Sequence, residues 1–266
     1  MNEPAKVKII TPDMSTEPTW LEDVISAKVP VLVFRGFLLP AINLRLVSDL
    51  KRCAEWVRVS TYLNATLTTL GPYLAKYTSC PDEYFRQASV IQPLLPQSLV
   101  SMRCNIYQLV KQWLQLKSLK TAVEPVWGEY AGSVVRFHAN GIANPLHNDN
   151  ISRDAVGTEL VVSKIVQQLS CVVCLQECTS GGVLRVFKKK WRVEDERFKF
   201  KCELGYSGGV VEGYGFYEFS PQVGDVYIFN PNFYHEIDRV CGATRVTLGF
   251  FFGLTDQCAR QAIAWS

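Results

Sequence analysis

Hydrophobic positions along the chain change character after Trp127. Beyond it they fall in short β-like runs: GSVVRFHA, QQLSCVVCLQE, GGVLRVFKKKW, EGYGFYEFS, GDVYIFN, FYHEIDRV and TRVTLGFFFG. Turn formers separate them, such as Ser180-Gly181-Gly182, Pro221 with Gly224-Asp225, and Gly242. Strands of this length with regular punctuation predict a sandwich or barrel of jelly-roll type.

The first half reads as mixed and mostly helical. VPVLVFRGFLL (30–39) is β-rich and predicts a core strand. The segment 41–57 carries Ile42, Leu46, Leu50, Ala54 and Val57 at helical spacing, and 96–117 predicts a second long helix with Pro96 near its start. The polar, aromatic-sprinkled stretch 58–88 has no clear period. We expect a mainly β protein with flanking helices, in which helices pack on the outside of the sheet and the early strand returns to it. A length of 266 residues suits one large domain or two small ones, and one is preferred. It divides into an N-terminal extension (1–29), mostly helical support and cover (30–128), a β-core (129–254) and a C-terminal tail (255–266).

Composition narrows the class. Hydrophobic residues make up 48% and charged residues 20%, the balance of a globular protein with a sizeable core. A formal charge of +3, with acids and bases mixed, gives no nucleic-acid footprint. The run Lys188-Lys189-Lys190 reads as a solvated strand end or loop. The N-terminus lacks the pattern of a secretory signal, and no apolar run approaches the ~20 residues of a membrane span. A soluble, cytoplasmic protein without membrane partners is the expectation, so the sequons at Asn64 and Asn150 carry no information. Nine cysteines, an odd number scattered without a framework, suit reduced thiols. Cys171 and Cys174 form C-x-x-C, but in an apolar strand they would face opposite sides and read as small buried hydrophobes.

The chain has only three histidines. His147 stands two residues before Asp149, and on an extended backbone that spacing puts an imidazole and a carboxylate on one side. Taken alone, the pair is equally a hydrogen-bonded polar loop. His235 lies on a later strand after the turn at Pro231-Asn232. Two imidazoles and one carboxylate are a set that binds Fe(II) on one face of an octahedron, leaving three positions open. Ten residues beyond His235, Arg245 opens a strand and shares a face with Thr247; a guanidinium beside a hydroxyl suits a carboxylate. His138 is read as lying one residue outside the face of Arg136, without a catalytic role.

This ordered set, H-x-D, a distant histidine and then R-x-T, resembles the non-haem Fe(II)/2-oxoglutarate-dependent oxygenases. The resemblance narrows to the subgroup of the freestanding halogenases of hapalindole-type alkaloid pathways and the hydroxylases of small amino-acid derivatives. It extends to YLAKYTSCPDEYFRQAS, VVRFHANGIANPLHND, TSGGVLRVFKKKW, SPQVGDVYIFNPNFYHEIDRV and the terminal IAWS, covering roughly residues 70–266. It implies a double-stranded β-helix (cupin-like) core, and Fe(II) on His147, Asp149 and His235. It also implies 2-oxoglutarate with its far carboxylate on Arg245 and Thr247, O2 as co-reactant, and a small-molecule substrate. Arg136 keeps the subgroup's distance ahead of the first ligand and is a weaker cosubstrate candidate. The alkaloid halogenases have a glycine at the position of Asp149, which frees a metal position for chloride. An aspartate here implies oxygenation: hydroxylation first, with desaturation or ring closure as variants.

Asn148, Asn150 and Asn230 could orient the ligands, with Asn148 and Asn150 also candidate substrate contacts. Tyr73, Tyr77, Tyr84 and Phe85 could cover the substrate mouth, Tyr77 foremost, although core packing is the default for such aromatics. Two other readings compete. GYSGG (205–209) matches a nucleophile elbow centred on Ser207, with Asp225 and His235 following, but a helix after the serine is missing. The chain could also be a non-catalytic jelly-roll protein that only binds a metal or ligand.

Overall fold

The computed structural model describes residues 6–201, 203–256 and 260–266. Its core strands, in chain order, are Val134–His138, Asn144–His147, Gln167–Gln176, Leu184–Lys190, Phe216–Phe219, Val226–Phe229, Phe233–Ile237 and Arg245–Asp256. The first, third, sixth and eighth lie in a larger sheet, and the other four form a smaller one. Every pairing among neighbours in these two sets is antiparallel. Strands that cross between two sheets in this order make a double-stranded β-helix, the jelly-roll expected from the sequence.

The period of two then sorts side chains. On the larger sheet, Leu169, Cys171, Val173, Val246, Leu248, Phe250 and Phe252 face outward into one apolar cluster. The helices Pro40–Lys51 and Gln97–Trp113 supply the other side of that cluster through Leu46, Leu50, Leu99, Met102, Ile106, Val110 and Trp113. Burying each such side chain contributes roughly 1.5–3 kcal/mol. The alternate residues, among them Arg136, Ser170, Val172, Tyr227, Arg245 and Thr247, face the space between the sheets and line a cavity there.

The early strand Val31–Phe34 does return, pairing with Val226–Phe229. It is joined by Lys8–Ile10, which lies parallel to it. Arg35 fixes this edge through two hydrogen bonds, 2.9 and 2.8 Å, to the carboxylate of Asp225 in the turn before Val226–Phe229.

Several expectations change. The helix placed at 41–57 ends at Lys51, because Val57 and the strand Arg58–Thr61 must be extended to start a hairpin with Thr66–Leu70. That hairpin lengthens the larger sheet beyond Val134–His138, so the first half is less helical than its composition suggests. The second long helix stops at Trp113, where Gln115 takes a positive φ and Leu116 donates back to the Lys111 carbonyl. The C-terminal tail contains a strand, Gln261–Trp265, paired with Arg245–Asp256 and with Ser118–Thr121. Lys189 is not solvated. It is buried, and both oxygens of Asp195 lie 2.9 Å from its Nζ, because strand alternation turns the middle lysine of the run inward.

Cys171 packs among the outward-facing apolar residues. Cys174 lies on the other face near Arg245, and burial pushes its thiol up to about 12. Cys202 and Cys258 lie outside the described residues. Among the described residues, no helix is long and apolar enough to cross a membrane.

Candidate metal centre

His147 and His235 sit on adjacent strands of the smaller sheet as direct register partners. Each ring is pinned by its own strand: His147 Nδ1 is 2.6 Å from the Pro145 carbonyl and His235 Nδ1 is 2.9 Å from that of Phe233. A carbonyl only accepts, so both Nδ1 atoms carry the hydrogen and both Nε2 atoms present a lone pair. Asp149 follows just after its strand, where its backbone N–H donates to the Pro231 carbonyl at 2.9 Å. The Pro231-Asn232 turn thereby holds the carboxylate beside the rings. Asp149 Oδ2 lies 3.7 Å from His147 Nε2 and 3.5 Å from His235 Nε2.

The three donor atoms all lie within 4.8 Å of one another, and among the described residues no other such group exists. With ligand bonds of about 2.0–2.2 Å, a small divalent cation needs neighbouring donors about 3 Å apart, so a slight inward shift closes the set. Electrostatics favour the same occupant. Burial and the nearby His235 push His147 down to about 4, keeping it neutral. Burial alone would raise Asp149, but His147, His235 and Arg136 hold its carboxyl below the usual range. A neutral His147 imidazole and an ionised Asp149 carboxylate are the protonation states a cation requires.

From this cluster a narrow cavity of about 40 Å3 runs between the sheets to Arg245. Arg245 is buried, and among the described residues its bond is to a neutral group, with Nη2 donating to Tyr227 Oη at 2.9 Å. Thr247 stands two residues along the same face. A buried cation without a counter-ion is costly, and a bound carboxylate would supply one. Gly182, from the Ser180-Gly181-Gly182 turn, leaves the room: a Cβ there would meet Arg245 Cδ at 3.0 Å.

His138 shares the face of Arg136, where the sequence alone suggests a position outside it. Arg136 and His138 are two apart on one strand, opposite Thr247 and Arg245 respectively, and both line the cavity. His138 Nδ1 is buried without a hydrogen-bond partner, and burial, Arg245 and Arg136 together push the ring down to about 3. Tyr227 was missed altogether, although its alternation with Val226 and Ile228 would have put it on the inner face.

On the other side of His147 and Asp149 opens a second space of about 100 Å3. Its walls include Leu67, Tyr73, Ile151, Phe251 and Trp265. Asn150 lines it and caps the helix Ile151–Asp154, its Oδ1 accepting from Arg153 N–H at 3.2 Å. Asn148 is buried on the far side of the backbone, where its Oδ1 accepts from Arg153. Asn230 donates to the Ile25 carbonyl at 2.7 Å and orders the Asn232 turn. Tyr77 lines a separate cavity, its hydroxyl bonded to Gln87 at 3.0 Å, while Tyr84 and Phe85 are core residues. Ser207 does not meet His235. It begins a short 3-10 turn, Gly208–Val211, and its hydroxyl accepts from Gly209 N–H.

A family model described as "Carrier-protein-independent halogenase WelO5" matches residues 6–266. The chain belongs to the WelO5 family. That family is one of enzymes, by its own description. A curated relative, "Leucinostatins biosynthesis cluster protein S" from Purpureocillium lilacinum, is 28% identical over 130 residues, 46% of this chain. The chain spans about half the length of that relative, 52%.

Among solved structures, the WelO5-family fold seen here is similar to an N-substituted L-amino acid dioxygenase from Burkholderia ambifaria AMMD in complex with α-ketoglutarate. The TM-score is 0.61 at 15% identity, covering 92% of this chain and 90% of that one. It is also similar to the carbocyclase SnoK from nogalamycin biosynthesis, with TM-score 0.57 at 10% identity, covering 92% and 86%. HygX from Streptomyces hygroscopicus, with nickel and 2-oxoglutarate bound, aligns at TM-score 0.51 and 12% identity, covering 91% and 88%. At such identities these likenesses speak for the fold.

Proposed function

We propose that this WelO5-family protein hydroxylates an unactivated C–H bond of a small molecule, with His147, Asp149 and His235 holding the iron(II). The observation that carries the reading is the placement of Asp149 Oδ2 within 3.5 and 3.7 Å of the two Nε2 atoms. A carboxylate there fills the metal position that a halide would need, which favours oxygen transfer over chlorination. When bound, iron(II) with 2-oxoglutarate and O2 supplies the oxidising power, and the cosubstrate leaves as succinate and carbon dioxide.

The chain's own residues do the rest. Arg245 and Thr247 bind the far carboxylate of 2-oxoglutarate, and the Tyr227 hydroxyl fixes the guanidinium for it. Arg136 adds positive charge between this carboxylate and the metal donors. Leu67, Phe251 and Trp265 exclude water from the reacting carbon and press the substrate against the metal side of the cavity. Asn150 and Tyr73 offer polar contacts at its wall. The names of the dioxygenase and of the leucinostatin cluster protein support an amino-acid derivative or peptide-like natural-product intermediate as substrate. Desaturation and ring closure use the same donors and are variants of the same reading. We take residues 1–266 as one catalytic domain and the cytoplasm as its setting, in keeping with the free cysteines among the described residues.

The test is a mass-spectrometric screen of N-acyl amino acids, short peptides and alkaloids with iron(II), 2-oxoglutarate, O2 and chloride. The expected product gains one oxygen atom, or loses two hydrogens, in step with succinate release. A chlorinated main product, or full turnover by Asp149→Ala, would overturn the reading.

A further inference from the structure

Beside the metal-side cavity lies another of about 230 Å3, and Tyr73 lines both. Sheet register explains why they adjoin. Arg58 is paired with Thr69 on the next strand, and Thr69 with Arg136 on the one after. The three stand in one row across the inner face; at about 4.8 Å per strand, Arg58 lies about 10 Å from Arg136. Arg136 belongs to the metal-side cavity, while Arg58 and Thr69 belong to its neighbour.

The walls of this outer chamber carry positive charge and no carboxylate. Arg58 Nη1 donates to the carbonyls of Glu55 and Val57 at 3.0 and 3.2 Å. Lys76 Nζ donates to Ser60 Oγ at 2.9 Å, reaching from the 3-10 turn Leu74–Lys76 to the hairpin. Neutral acceptors hold both heads in place without cancelling their charge. Arg86, by contrast, is neutralised by Glu83 through bonds of 2.8 and 2.6 Å. At the boundary, the Tyr73 hydroxyl meets that of Tyr62 at 3.3 Å. Trp56, Tyr73 and Leu94 add apolar surface, so the chamber offers an anion site beside flat hydrophobic walls.

We propose that this chamber holds the anionic group of the substrate. The molecule is then an elongated organic anion: a carboxylate, sulfate or phosphate near Arg58 and Lys76, an apolar body passing Tyr73, and a reacting carbon about 10 Å or more from the charge. The assignment of the reacting end rests on the proposed metal site; binding of the anion in the chamber does not. Arg58 and Lys76 are exposed to solvent, so the attraction is one that salt weakens.

Two fluorescent probes with the same aromatic body test this on the full chain: anilinonaphthalenesulfonate, an anion, and phenylnaphthylamine, which is uncharged. The double variant Arg58→Gln/Lys76→Gln is expected to bind the sulfonate about 10-fold more weakly and to lose most of its salt dependence, with phenylnaphthylamine affinity unchanged. Arg58→Lys should retain most of the sulfonate binding. Equal sulfonate affinity in wild type and double variant, or equal loss of both probes, overturns the proposal. The charge-transfer band formed by iron(II) with 2-oxoglutarate is read separately on the same proteins. Its absence from the wild type would sink the metal reading, whereas an intact band with unchanged sulfonate binding would sink the anion chamber alone.

Discussion

His147 and His235 face each other across adjacent antiparallel strands, with ring centroids 4.2 Å apart. Four of the eight core strands lie between them in sequence, and the double-stranded β-helix brings them together because the second and seventh core strands are neighbours in the smaller sheet. Each ring is already oriented by its own strand's carbonyl, so removing one leaves two donors and an unchanged frame. His147→Ala and His235→Ala are each expected to weaken cobalt(II) or iron(II) binding by about 100-fold or more, measured by calorimetry, with little change in the far-ultraviolet circular dichroism.

Gly182 should matter through Arg245. Its φ is +67°, and a Cβ would lie 2.8 Å from Cys178 Sγ and 3.0 Å from Arg245 Cδ. Gly182→Ala is expected to displace the guanidinium and raise the Kd for 2-oxoglutarate about 10-fold while leaving the metal Kd nearly unchanged. Titrating the metal-loaded protein with 2-oxoglutarate by calorimetry separates the two effects.

His138 should act on the same cosubstrate cavity and on acid stability. Burial and the two arginines push it down to about 3, and burial with His235 pushes His147 down to about 4. In the unfolded chain both take a proton near pH 6.5. Between those values the unfolded state binds more protons than the folded one. Acidification through about pH 6.5 to 4 therefore destabilises the metal-free protein, with His138 adding nothing further below about pH 3. Urea midpoints across this window should fall with pH, and His138→Phe should flatten the slope.

The middle lysine of its run should be the one that counts. Lys189 pairs with Asp195, which also accepts from Tyr234 Oη at 3.2 Å and from Arg192 N–H at 2.8 Å. Lys189→Ala leaves that buried carboxylate without its counter-ion and is expected to cost about 3 kcal/mol, whereas Lys188→Ala and Lys190→Ala should stay within about 0.5 kcal/mol. Denaturant unfolding of the three variants checks this.

What the sequence disclosed follows the reach of local patterning. Seven of the eight core strands were legible because each carries its own apolar run between turn formers; Asn144–His147, sequence NPLH, has none. The clustering of His147, Asp149 and His235 was legible because histidine is scarce here. The hairpin 58–70 escaped because Arg58–Thr61 is a polar, largely exposed edge strand and its partner Thr66–Leu70 carries three threonines, so neither has an apolar run to announce it. The C-terminal strand escaped because Gln261–Trp265 is short and finds its partners far away, at Ser118–Thr121 and Arg245–Asp256. His138 and Tyr227 were within reach, since strict alternation from Arg136 and from Val226 puts both on the cavity side.

Asp149 carries the central claim, that three side chains hold an iron able to react with 2-oxoglutarate. The most direct measurement is anaerobic: titrate the protein with iron(II) and 2-oxoglutarate, record the visible charge-transfer band, then admit O2 and quantify succinate. The wild type should form the band and release succinate, and Asp149→Ala should lose most of both. A wild type that forms no band and no succinate, or an Asp149→Ala variant indistinguishable from it, would contradict the assignment.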